Sequence, residues 1–148
     1  MDSSRSVQTW ATAISTNATN GRKIIFRFAK DFSPSFDIAS QPERIILVWK
    51  YDSDTGQPVS EEHRRMNLLE DFLEPAIAPE SFATLALVST GENLREWIYY
   101  ASSSDEFIER LNSAFEGLPP FPIEIHTADD PTWSNYHEFK SQLVQTSW

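Results

Sequence analysis

Residues 82–111 read FATLALVSTGENLREWIYYASSSDEFIERL, and their order decides the fold. Apolar, β-branched and aromatic residues fill 82–88 and 94–100. The loop between them, Ser89-Thr90-Gly91-Glu92-Asn93, has the length and the glycine of a hairpin connection. Ser103 and Glu106 then match the S-x-x-E capping box, in which each side chain satisfies a backbone amide at a helix start. Phe107, Ile108, Leu111 and Phe115 supply the apolar face of that helix, and Gly117 closes it.

Upstream, RIILVWKY at 44–51 is a short continuous apolar run, as expected of a central strand covered on both faces. A turn over 52–58 ends it. Ser60 followed by Glu61 and Glu62 predicts a helix capped by Ser60, with acids at the positive end of its dipole. Met66, Leu69, Leu73 and Ala76 recur at helical spacing, with Leu68 and Phe72 widening the stripe, while Pro75 disfavours helical geometry at Glu74. Downstream, residues 121–127 alternate after Pro122, which suits a sheet edge or a strand start. Asp130 and Pro131 open a last helix, as cap and first helical residue.

From residue 44 the order is therefore strand, helix, strand, strand, helix, strand. That is the split βαβ order of a ferredoxin-like α+β sandwich, an antiparallel sheet with two helices on one face. Ahead of it, residues 8–16 and 22–29 predict a hairpin turning at Asn20-Gly21, with Ile24, Phe26 and Phe28 on one face. A Ser-, Pro- and Asp-rich loop follows to residue 42. The hairpin can extend the sheet, and the final helix can cover an edge or the open face. The expected organisation is a single domain over 1–148: hairpin 1–30, ferredoxin-like unit 44–127, final helix 130–145.

Composition excludes more than it identifies. The 148 residues are 40% hydrophobic, enough for a core without staples. With no cysteine, thiol nucleophiles, thiolate zinc sites and iron–sulfur clusters are ruled out. The four glycines are isolated, so neither GxGxxG nor GxxxxGK[ST] is present. No apolar run approaches the roughly 20 residues that span a bilayer, and the polar opening lacks a signal peptide's hydrophobic region. The expectation is a cytoplasmic protein with no membrane and no cofactor. A net charge of −10 argues against nucleic acid. Residues 1–50 carry seven basic and four acidic residues, a net +3, leaving −13 on residues 51–148. Either a basic hairpin packs beside acidic helices of the same domain, or the acidic helical face steers a basic partner.

On the strand 94–100, Arg95, Trp97 and Tyr99 share one face and Glu96, Ile98 and Tyr100 the other. If Ile98 packs on the helices, Arg95, Trp97 and Tyr99 join Trp49 or Tyr51 on the opposite face, a group rich in residue types that dominate interfaces. Alternatively, the hairpin or the last helix covers them through Trp133, Tyr136 and Phe139. The acidic helix contributes Glu61, Glu62, Glu70 and Asp71, whose adjacent pairs diverge and suit a solvated face better than acid/base chemistry. His126, Asp129, Asp130 and His137 form a metal candidate whose spacing matches no standard zinc pattern. The reading is a non-enzymatic protein-binding or regulatory module, acting on a protein partner or by self-association through Trp49, Tyr51, Arg95, Trp97, Tyr99, Glu61, Glu62, Glu70 and Asp71. The alternative is a hydrolase or small-ligand enzyme near His126, Asp129 and His137.

Three stretches carry a resemblance: 46–77 with Trp49, Tyr51, Gly56 and Pro58; 85–112 with Thr90, Gly91, Arg95, Glu96, Trp97 and Tyr99; and 123–139 with Asp129, Asp130, Pro131, Trp133 and Tyr136. Together they resemble the bacterial domain-of-unknown-function family 695 over nearly the whole chain. The resemblance implies no established activity. Some relatives carry a neighbouring domain similar to regulator B of ribonuclease E, an acidic inhibitor, which implies regulation by binding.

Overall fold

A computed structural model describes residues 6–145, which form an α+β structure with a six-stranded antiparallel sheet and three α-helices. The strands are β1 (Val7–Thr16), β2 (Lys23–Phe32), β3 (Glu43–Lys50), β4 (Ala83–Gly91), β5 (Leu94–Ala101) and β6 (Ile123–Asp129). Helix α1 (Ser60–Ile77) joins β3 to β4, α2 (Ser104–Ala114) joins β5 to β6, and α3 (Ser134–Gln145) follows β6. Across the sheet the order is β1-β2-β4-β5-β3-β6. The leading hairpin thus extends the sheet beyond β4, with Ile25 to Phe28 paired to Leu87 to Thr90.

Alternation along β5 explains why the sheet is covered twice. Trp97 and Tyr99 face one side with Ile45, Leu47 and Trp49 of β3, and bury against Met66, Leu69, Leu73 and Ile77 of α1 and Phe107 and Leu111 of α2. Ile98 and Tyr100 face the other side and bury with Phe28 and Leu87 against Trp133 and Tyr136, with Phe139 of α3 packed alongside. The last helix therefore covers the open face.

Several local expectations are corrected. Ser60 is the first helical residue, not the cap; Val59 holds that position without a side-chain bond. Pro75 does not end α1, which continues to Ile77, a residue only 1% exposed. Burial of Ile77 beneath the helix outweighs the hydrogen bond lost at the proline. The apolar stripe runs to Ile77 rather than Ala76, and Phe72 lies exposed. Helix α3 starts at Ser134, three residues after Pro131, although Asp130 still accepts from the Ser134 and Asn135 amides at 2.8 and 3.1 Å. The Ser103 half of the capping box is as read, accepting from the Glu106 amide at 3.2 Å, while the Glu106 carboxylate turns to Arg110, accepting from its Nη2 at 2.6 Å.

Candidate functional site

Helix α1 carries a glutamate at 62 and another two turns on at 70, both on its sheet-facing side. Two tryptophans on adjacent strands meet them: Trp49 Nε1 donates to Glu62 Oε2 at 2.8 Å, and Trp97 Nε1 donates to Glu70 Oε1 at 2.7 Å. Indoles are large apolar bodies with one donor that must be satisfied when buried, so a carboxylate at the helix margin fits. Both rings are fully buried, their centroids 6.2 Å apart.

Glu70 is a hub. Its Oε1 also accepts from Arg95 Nη2 at 2.9 Å and Arg27 Nη2 at 2.6 Å, which draws β5, β2 and α1 onto one oxygen. Burial pushes the Glu70 carboxyl up, but Arg27, the Trp97 N–H and Arg95 outweigh it and hold it below the ordinary glutamate value. Arg95, 4% exposed, is pulled down by its burial against the opposing pull of Glu70, and its guanidinium lies over the Trp97 ring at 5.0 Å. Its Nε is buried without a partner. Burial raises the neighbouring Tyr99 hydroxyl well above its usual range.

The expected exposed aromatic face is therefore corrected. Trp49, Arg95, Trp97 and Tyr99 lie buried, and the cover is α1 with α2, neither the hairpin nor α3. Tyr51 is half-buried, its hydroxyl donating to the Gly56 carbonyl at 2.6 Å. Of the acidic group, Glu62 and Glu70 turn inward, Asp71 is exposed, and Glu61 is exposed and paired with Arg64 at 2.6 Å. The Arg27–Glu70 contact puts the basic hairpin beside the acidic helix within one chain.

What remains open lies beside that hub. The helices cover β3 to β6 but leave the hairpin's side of the same face bare: Trp10 is 41%, Ile14 51% and Ile25 36% exposed. Two clefts run along α1 there, separated by the Arg27–Glu70 bridge that both share. One, of about 250 Å³, has Trp10, Asp71, Glu74 and Tyr99 in its lining. The other, of about 440 Å³, includes Thr12, Ile25, His63, Asn67 and Arg95. Arg27 sits over the Trp10 ring at 5.6 Å. The sequence reading did not single out Trp10, Ile14 and Ile25 as site residues, although the i, i+2 spacing of Trp10, Thr12 and Ile14, and of Ile25 and Arg27, marks one strand face.

The enzyme candidates do not assemble. His126 and Asp129 are exposed on the outer strand β6, His126 lying 3.4 Å from Glu124, and His137 is exposed on α3. Among the described residues no group of three or more His, Cys, Asp or Glu forms that could hold a metal. None of these three lines either cleft beside α1. Asp130 serves the fold: it accepts the Tyr100 hydroxyl at 2.7 Å, and Trp133 stacks on Tyr100 at 4.2 Å while its Nε1 donates to the Gln41 carbonyl at 2.9 Å. Among the described residues no helix is long and apolar enough to cross a membrane.

Gly91 fits here too, since a Cβ on it would meet the Lys23 carbonyl oxygen at 2.5 Å where β2 seats against β4. Trp-x-Tyr, Thr-Gly, Arg-Glu-Trp and Asp-Asp-Pro-x-Trp-x-x-Tyr are thus the joints of one scaffold. A search of the curated proteins finds no match. The profile of a family of unknown function, DUF695, matches residues 8–140, which span all of these joints, and the chain belongs to that family.

Proposed function

We propose that this protein is a non-enzymatic protein-binding module whose docking site is the groove between the β1–β2 hairpin and α1. Residues 43–129 act in this reading as a ferredoxin-like unit, supported by the order β6-β3-β5-β4 and by α1 and α2 packing on one face, and the whole chain works as one domain. The observation that carries the proposal is that Trp10 and Ile25, both exposed, each line a cleft along a helix locked in place by Glu62 and Glu70, with Ile14 exposed on the same strand face. A rigid surface loses little entropy on binding, and an aromatic in a cleft is a strong anchor.

Charge narrows the partner. Residues 60–81 and 104–117, the helices and the turns that close them, hold ten acidic residues against three arginines. A segment with an apolar side chain for Trp10 and a lysine or arginine for Asp71 suits the groove, with binding weakened by salt. Selection of peptides displayed on phage tests this. The proposal expects basic-apolar sequences to be enriched and their binding to fall at least tenfold with Trp10→Ala and with Asp71→Lys. Absence of enrichment, or binding equal in both variants, overturns it.

A further inference from the structure

The two outer strands of the sheet differ in a way that concerns association. Edge strands expose unpaired amides and carbonyls, and charged residues and prolines normally guard them against pairing with another chain. Strand β6 follows that rule: Glu124, His126 and Asp129 lie on it, and Pro119, Pro120 and Pro122 precede it. Strand β1 does not. Its ten residues, VQTWATAIST, contain no charge and no proline. Among the described residues no strand pairs with its outer side. The irregular pairing with β2 is confined to Val7–Trp10, and Trp10 to Thr16 pair in unbroken register.

We infer that β1 pairs antiparallel with β1 of a second copy, about a two-fold axis at Thr12. The inference goes beyond the docking groove and stands without it. First, the strand is chemically symmetric about Thr12: Ala11 matches Ala13, Trp10 matches Ile14, Thr9 matches Ser15, and Gln8 matches Thr16. Antiparallel pairing about that residue sets each against its match in the second copy. Thr12 then faces itself, and Trp10 twice faces Ile14, an aromatic with a β-branched residue, which is a favourable cross-strand combination.

Second, the backbone is in phase. Asn17 N–H donates to the Arg22 carbonyl, so residue 17 directs its polar groups toward β2. Strand alternation then turns those of Thr16, Ile14, Thr12 and Trp10 outward. These are the residues the Thr12 axis requires for a hydrogen-bonded pair at its centre. Third, although each copy carries −10, β1 brings no charge to the contact. The pairing makes one twelve-stranded sheet, with Trp10, Ile14 and Ile25 of both copies on one face between the two α1 helices.

Because the chain has no cysteine, the test is direct. Opposite residues in a hydrogen-bonded antiparallel pair lie about 5.5 Å apart at Cα, within disulfide reach. Thr12→Cys is therefore expected to form a covalent dimer under mild oxidation, while Gln8→Cys, whose two copies lie at opposite ends of the contact, stays uncrosslinked. Sedimentation equilibrium of the wild-type chain is expected to give the dimer mass. Thr12→Lys, which sets like charges across the axis, should halve that mass with an unchanged circular dichroism spectrum. Wild type that remains monomeric at the highest attainable concentration overturns the inference, as does cross-linking equal at positions 8 and 12. A dimer that withstands Thr12→Lys and leaves Thr12→Cys reduced overturns it equally. Loss of peptide binding by Trp10→Ala in a chain that is monomeric refutes the dimer and leaves the groove reading standing.

Discussion

Replacing Glu70 by alanine removes the shared acceptor of Arg95, Arg27 and Trp97 at once. The three do not suffer equally. Arg27 has a side chain 38% exposed and can return its charge to water, whereas that of Arg95 is 5% exposed and cannot. With its Nε already lacking a partner, Arg95 becomes an unpaired buried charge. Breaking a buried pair from one side costs about 3–5 kcal/mol. At this chain length that lowers the melting temperature by about 6–20 °C. The double variant Glu70→Leu, Arg95→Leu removes the orphan charge as well and should lose less than Glu70→Ala alone. Urea unfolding followed by tryptophan fluorescence measures both. A loss below about 1 kcal/mol in Glu70→Ala, or a double variant no better than the single one, would show that the hub does not hold α1 to the sheet.

The remaining predictions concern the other joints. Asp130→Ala takes the acceptor from the Tyr100 hydroxyl and from the first amides of α3, and should cost about 2–4 kcal/mol in urea unfolding. Gly91→Ala forces β2 away from β4 and should cost about 1–3 kcal/mol, with faster hydrogen exchange confined to the hairpin. Trp10→Ala should stay within about 1 kcal/mol of wild type, since Trp10 is exposed and its ring meets the half-exposed Arg27 at the surface. Burial raises both the Glu70 and Asp130 carboxyls, yet their hydrogen-bond partners, with Arg27 and Arg95 beside Glu70, hold each below its ordinary value. The unfolded chain therefore binds protons first. Stability should be full above the ordinary carboxylate range and fall as the pH drops through it, and the fall should be shallower in Glu70→Gln. A pH series of unfolding midpoints that stays flat below pH 5 would contradict that.

Strands and helices were legible because each is written in a local period: alternation in Ile24–Phe28, the run at 44–51, and the capping box at Ser103. The layer that covers each face was not. Alternation separates Trp97 and Tyr99 from Ile98 and Tyr100, but nothing local says that both sets are buried, one under α1 and one under α3. Glu70 reads locally as part of a solvated pair with Asp71, because its partners lie 25, 27 and 43 residues away in sequence. Pro75 reads locally as unfavourable to the helix for the same reason, since Ile77 is held by contacts outside the helix. The bare face of the hairpin is likewise a consequence of where α1 stops across the sheet.

The groove itself is tested most directly by nuclear magnetic resonance titration of the folded chain with a peptide enriched in the selection. The docking reading predicts shifts concentrated at the Trp10 indole, Ile14, Ile25, Asn67 and Asp71, with α3 and β6 unmoved. Shifts centred on β6 or α3, or a peptide that binds while those groove signals stay fixed, would contradict it.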